Sequence, residues 1–372
     1  MIRIKQPWVV FALAAAGLLA VTAATALSGL TLQGGTQLRV WGALWSSGWA
    51  AVHGVNPYAS YALTPAAIVP GQADVNLSPP AMLPFFAALS YLPALAVAPW
   101  WIMGQAALMA AGVAAVVLYA PVPVQSWRVT WALLVPHVSA GIWLGQDYAM
   151  LFALCAGAWA LMRTGRDIAA GVAIGALVAC KPNLCLWPAY LLVAGVWRPA
   201  LVAGACAAVA SLLPAAIWGA PVYHQWLAAV AMDQHWRLPL DVSLHGVLAR
   251  AGLPGVGSVA SAAAVIAGAV AARRLPADRA GALGLAVGVL ASPLGWIYYA
   301  VFLTPAFLEG LWGGALTVAL LSVPPAAYVL AQMYGVAWAA SAAGLLGFLI
   351  IAWDIAGPQR SATILDFAGV RA

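Results

Sequence analysis

Charge is what this chain has least of. Only 15 Lys and Arg and 9 Asp and Glu occur in 372 residues, 6% of the total, where a soluble domain carries about 25%. With 65% of residues apolar, that scarcity excludes a water-soluble enzyme and leaves a lipid bilayer as the solvent. Cysteine is nearly absent too. Cys155, Cys180, Cys185 and Cys206 lie inside apolar stretches without a CxxC pair, which reads as inert buried thiols, not a disulfide or zinc framework. There is no glycine loop with a following Lys-Ser/Thr, no HExxH and no His/Cys cluster at zinc spacing, so neither a metal nor a nucleotide cofactor is expected. The net charge of +6 comes from bases scattered between apolar runs, not clustered as in a nucleic-acid binder, so no nucleic-acid partner is expected. No internal repeat of fixed period is visible.

What is present is a succession of apolar runs. They lie near 8–30, 79–93, 95–120, 129–144, 147–162, 168–181, 183–197, 199–219, 256–272, 280–295, 297–313, 315–331 and 336–353. A crossing takes ~20 apolar residues, fewer with interfacial aromatics, which predicts roughly 11 to 13 spans. The fold class expected is an all-α integral membrane bundle, a single polytopic unit over 1–372. The first run is too long for the roughly 7–15 residue core of a signal peptide, so it reads as an uncleaved span.

Arginine sets the orientation. Arg3 with Lys5, Arg163 with Arg166, Arg198, Arg273 with Arg274 and Arg279, and Arg360 with Arg371 fall on one side, which the positive-inside rule makes cytoplasmic. The other side receives two extracytoplasmic loops, 31–77 and 220–243, and the turns Gly145-Gln146-Asp147, Lys181-Pro182-Asn183 and Ser292-Pro293. Between residues 77 and 128 the count loses parity: either Arg128 lands outside, or one segment there is re-entrant.

Ionisable groups near a membrane are costly and point to function. The cytoplasmic acids Asp167, Asp278 and Glu309 need no more than a solvated role. The outside set is mixed: Arg39, His53, Asp74, Asp147, Lys181, His224, Asp233, His235, Arg237, Asp241, His245 and Arg250. In the first loop, Trp41, Leu44, Trp45, Gly48, Trp49 and Val52 recur at helical spacing, as in an amphipathic helix lying in the interface. That helix is either an anchor or a platform beside a lipid-borne substrate. Lys181, in a Cys-Lys-Pro-Asn turn, opposes the topology rule and reads as an anion ligand.

The ordered motifs "GVNPY", "SPP", "GQDYAMLFALCAGAWALMRTGRDIAAGVAIGALVACKPNLCLWP", "DVSLHGVLAR" and "ASPLGWIYY" resemble glycosyltransferase family 87 over roughly residues 30 to 310. These are polyprenol-phosphate-mannose-dependent mannosyltransferases of the GT-C superfamily. The resemblance implies a GT-C bundle in a bacterial plasma membrane with its active site facing outside. It implies a polyprenyl-phosphate sugar donor, a lipid or glycan acceptor, inversion at the anomeric carbon and no cofactor. One carboxylate then suffices as base, and basic side chains hold the phosphate. The family pattern puts its acid at the head of the first-loop helix, where this chain has Gln37, an amide without useful basicity. Asp74 and Asp147 are the alternative bases. A silent lipid-glycan binder and a transporter or flippase are the competing readings. Candidate substrate contacts are Gln37, Arg39, Tyr58, Gln146, Lys181, His235, Arg237 and His245, with the membrane lipids as surroundings.

Overall fold

Hydrocarbon offers no partner to a backbone N–H or C=O, so apolar runs of this length close their hydrogen bonds internally as helices. The computed structural model describes residues 6–27, 38–63, 68–70, 75–134, 141–142, 144–233, 240–314, 316–322 and 337–357. Helix α1 (Gln6–Leu27) is followed by α2 (Arg39–Val52) and a small antiparallel hairpin, β1 (Tyr61–Leu63) with β2 (Ile68–Pro70). A 3₁₀ turn at Pro80–Met82 leads into α3 (Leu83–Leu89), then come α4 (Ala94–Tyr119), α5 (Ser126–Leu134), α6 (Tyr148–Arg163) and α7 (Asp167–Cys180). A second turn, Pro182–Cys185, precedes α8 (Leu186–Val193), α9 (Trp197–Trp218), α10 (Pro221–Met232), α11 (Leu244–Arg250), α12 (Pro254–Ala272) and α13 (Ala277–Ala291). The 3₁₀ segment Ile297–Leu303, α14 (Thr304–Leu308) and α15 (Ala337–Ala356) complete the described elements.

Four helices, at Ala94–Tyr119, Trp197–Trp218, Pro254–Ala272 and Ala339–Ala356, are long and apolar enough to cross a membrane. Their outer faces remain greasy: Leu212, Val259, Ile266 and Trp353 are each more than half exposed. The chain is an all-α polytopic membrane protein. Shorter apolar helices, α6 and α7 among them, stand beside these four, and α6 is largely buried. Without a hydrophobic drive between helices in lipid, close approach of small residues does the packing. The pair Gly171 and Gly175 shows this on α7. A Cβ on the first would stand 2.7 Å from the Pro199 carbonyl of α9, and on the second 2.5 Å from that of Ala203.

Three features go beyond what the sequence pattern shows. The aromatic stripe of α2 does not lie on lipid: Trp41, Leu44 and Trp45 are buried, and Trp41 stacks on Trp101 of α4 at 5.0 Å and meets Phe86 edge-on at 6.5 Å. Protein offers these rings more contact than an interface could, so the stripe is core. The hairpin within the first loop is not foreshadowed by alternation in the sequence. Finally, the segment Pro80–Leu89 packs on α2, with the Phe86 backbone against Gly48, where a Cβ could not fit.

Arg128 is held by α14 and the chain after it. Its guanidinium donates to the Phe307 carbonyl and, at 2.9 Å, to the Trp312 carbonyl, and it lies over the Phe307 ring at 4.8 Å. Those carbonyls flank Glu309, the partner of Arg163. Arg128 therefore lies at the same end of the bundle as Arg163.

Candidate active site

The site begins at a glycine. Gly145 adopts φ +71, a backbone conformation costly for any residue with a Cβ, and an added Cβ would meet that of Trp41 at 2.6 Å. Trp101 Nε1 donates to the Gly145 carbonyl at 3.0 Å, while Val40 N and Trp41 N donate to that of Leu144 at 3.0 and 3.4 Å. The head of the first-loop helix is thus docked on the Gly145-Gln146-Asp147 turn. This satisfies two of the orphan N–H groups that open α2, which has no side-chain cap.

Asp147 follows, 1% exposed, immediately before α6. Lys181 reaches it from the turn after α7, with Nζ 3.7 Å from Oδ1. That separation joins charges but exceeds the usual N–H···O range of about 2.7–3.2 Å. Among the described residues Oδ2 of Asp147 has no hydrogen-bond partner, and neither does Nδ2 of Asn183, two residues beyond the lysine. The ammonium also faces the Tyr148 ring at 5.0 Å and the Tyr299 ring at 6.0 Å, and these two rings meet edge-on at 5.5 Å. Burial opposes the charge on Lys181, but Asp147, supported by Tyr299 and Cys180, outweighs it and holds the ammonium above its ordinary range. A charged lysine with spare donors and a carboxylate with a spare acceptor are therefore held side by side, out of water.

Tyr299 connects this pair to a second acid. Asp241 is fully buried, accepts from Ser243 N at 2.9 Å, and forms an isolated antiparallel bridge with Trp296. Val242 N donates to Gly295 O at 2.8 Å and Ile297 N to Leu240 O at 2.9 Å, so the DVSLHG and SPLGWIYY stretches are one structural unit. Gly246 leaves room for the Asp241 carboxylate, which a Cβ there would meet at 2.5 Å. Arg250 donates to the Asp241 carbonyl at 2.5 Å. Burial draws its guanidinium down from the ordinary value, countered by Asp241.

Tyr148 also lines a narrow pocket, with Gln105, Met109, Gly141, Ile142, Gln146, Ala149, Tyr298 and Val301. Gln105 is a buried amide within an apolar helix of 26 residues, and its Oε1 accepts from Met150 N at 3.1 Å, capping the first turn of α6.

At the opposite end of α6, Arg163 Nε donates to Glu309 Oε1 at 3.1 Å and its Nη2 to Asp278 at 2.9 Å and to Glu309 Oε2. Trp159 Nε1 adds a bond to Glu309 at 2.9 Å. Glu309 is buried, so the solvated role expected for it is replaced by a structural one: a carboxylate this far from water must be paired.

Of the residues singled out from sequence, Gln146, Asp147 and Lys181 come together. Tyr58 is buried elsewhere, its hydroxyl donating to the Ser78 carbonyl at 3.2 Å as it packs with Leu83 and Val222. His245 Nδ1 lies 3.3 Å from Ser258 Oγ, an exposed contact. Gln37, Asp74, His235 and Arg237 lie outside the described residues, as does the side chain of Arg39, whose backbone opens α2. Tyr148, Tyr299 and Gln105 escape sequence reasoning. A lone amide in a long apolar helix is the signal that could have found Gln105; the tyrosines offer none, since aromatics near membrane ends are commonplace. Among the described residues no group of His, Cys, Asp and Glu could hold a metal.

The family model described as Glycosyltransferase family 87 matches residues 76–294, more than half of the chain. The match takes in Asp147, Lys181, Asp241 and Ser292 and begins after α2, a narrower range than the resemblance read from motifs. Neither a curated protein nor a solved structure matches.

Proposed function

The chain belongs to glycosyltransferase family 87, and from that membership we propose that it transfers a mannosyl or related residue from a polyprenyl-phosphate donor at the Asp147–Lys181 end. The acceptor is a lipid or glycan hydroxyl. The observation that carries this reading is a buried carboxylate with one unpartnered oxygen beside a buried ammonium with unused donors. Lys181 holds the donor phosphate by charge-assisted hydrogen bonds. Asp147, in preference to Asp74, takes the proton of the acceptor hydroxyl as that oxygen bonds to the anomeric carbon. The carbon–oxygen bond to phosphate breaks from the opposite face, and its electron pair leaves on the lipid phosphate. The sugar is delivered with inversion, and no general acid is needed because phosphate is already a good leaving group. Gln146 and Gln105, which line the pocket with Tyr148, offer amides to sugar hydroxyls.

The arginine-rich end supports a cytoplasmic assignment by the positive-inside rule. The Asp147–Lys181 end then faces the outside of a bacterial plasma membrane. Taking Pro80–Leu89 as the re-entrant segment restores parity to the apolar runs read from the sequence, which then number roughly twelve crossings.

The reading is tested with full-length protein in lipid vesicles, given labelled polyprenyl-phosphate mannose and a lipid acceptor fraction. Wild type and Asp74→Asn should form labelled product and Asp147→Asn should not. Product formation by Asp147→Asn at the wild-type rate would remove the proposed base.

A further inference from the structure

As the protein stands, Asp147 is not ready to act. It is 1% exposed, its Oδ2 is covered by protein, and the charge opposite it belongs to the group that must also hold phosphate. Building on the transferase reading above, we propose that the Asp147–Lys181 pair is a gate: the phosphate of an arriving lipid monophosphate draws the Lys181 ammonium off Asp147 and so releases the base only once the donor is bound.

The geometry of Lys181 favours such an exchange. At 3.7 Å its link to Asp147 Oδ1 is electrostatic without the short contact of a hydrogen-bonded pair. Its other neighbours are the faces of Tyr148 and Tyr299, which steady a cation by their quadrupoles and take up no hydrogen bond in the strict sense. The ammonium therefore keeps N–H donors unspent. In the donor the phosphate is a diester with one negative charge over two free oxygens, equal in charge to the carboxylate; what it adds is contact at hydrogen-bond distance with the unspent donors of Lys181, which the carboxylate at 3.7 Å does not make. The exchange is thus favourable when phosphate arrives and absent when it does not, and a sugar-free lipid phosphate, with up to two charges, draws the ammonium at least as strongly. Asn183 Nδ2, unpartnered in the same turn, supplies a second donor for the incoming anion. Among the described residues, the titratable groups beside the carboxylate are Lys181, Tyr148, Tyr299 and Cys180, and of these only Lys181 is a cation, so its departure removes the counter-charge. A base masked in this way cannot activate water or a stray hydroxyl before the donor is present, which suits an enzyme whose donor diffuses in the membrane.

Difference infrared spectroscopy on full-length protein in nanodiscs tests the gate without requiring turnover. The probe is a short-chain prenyl phosphate lacking sugar, with prenyl alcohol and inorganic phosphate as controls. The Asp147 carboxylate band is assigned by its loss in Asp147→Asn. Prenyl phosphate should shift that band, prenyl alcohol should not, and inorganic phosphate should need far higher concentration. Lys181→Met should lose the shift. Lys181→Arg, which keeps the charge and guards against a variant that fails to fold, should retain it. An unmoved Asp147 band with prenyl phosphate bound, as judged by tryptophan fluorescence, overturns the gate even where sugar transfer proceeds. An equal response to inorganic phosphate overturns the lipid headgroup as its trigger. A moving band in a protein that transfers no sugar upholds the gate while sinking the transferase reading.

Discussion

Helix α6 carries an ion cluster at each end, about 24 Å apart by helix rise over its 16 residues, and the two are built differently. At the Arg163 end every oxygen of Glu309 has a donor, Asp278 shares the guanidinium, and Trp159 closes the side. At the Asp147 end the charges stand 3.7 Å apart, one carboxylate oxygen has no partner among the described residues, and the remaining neighbours of Lys181 are ring faces. A completed network gains what it can from the fold and leaves nothing for a ligand. An incomplete one costs stability until something binds. The first holds α6, α13 and the segment after α14 together; the second is where a substrate with charge and hydroxyls gains most by arriving.

The sharpest way to break the comparison is to neutralise one acid at each end. Asp147→Asn should lower transfer by a factor of about 10²–10⁴, the usual worth of a general base, in a labelled-product assay. Its melting temperature should fall less than that of Glu309→Gln. That second variant leaves Arg163 with Asp278 as its one carboxylate and should cost about 3 kcal/mol, the low end for a broken buried pair, read as lost thermal stability, while kcat per folded molecule holds. If instead Glu309→Gln abolished turnover in well-folded protein, the closed cluster would have a role in the chemistry and the contrast would fail.

Smaller effects refine it. Arg128→Met removes donors from the carbonyls of Phe307 and Trp312 and should destabilise by about 1.5–3 kcal/mol, the range for hydrogen bonds to charged groups. Its thermal shift should appear without a change in KM for the donor. Ser243→Ala deletes the side-chain cap of α11, which accepts from Gly246 N at 2.9 Å. About 1 kcal/mol of stability should go, and since the cap neighbours Asp241 on the Tyr299 side, a modest rise in KM should accompany it.

Much of this molecule is legible in its sequence. The apolar runs mark the helices because a bilayer leaves the backbone no alternative, and the Lys181 turn stands out as a cation on the wrong side. Asp147 is visible as an acid after Gly145-Gln146, but its pairing with Lys181 is not, since it depends on how two helix ends abut. The destination of the α2 tryptophans is equally hidden: helical spacing shows a stripe, and only packing shows whether lipid or Trp101 receives it. Glu309 reads as solvated because position along the chain carries no burial. Leu38 is buried against the Gly145 turn, so the head of α2 is docked on the turn that carries Asp147. Spacing along the chain cannot join positions so far apart.

The most direct measurement is a structure of the protein with a stable polyprenyl-phosphate sugar analogue in a lipid nanodisc. The expected result places a phosphate oxygen within about 3 Å of Lys181 Nζ, the Asp147 carboxylate withdrawn from the ammonium, and the anomeric carbon on the Asp147 side. A phosphate seated away from Lys181, or at the Arg163 end, with the Asp147–Lys181 pair unchanged, would contradict it.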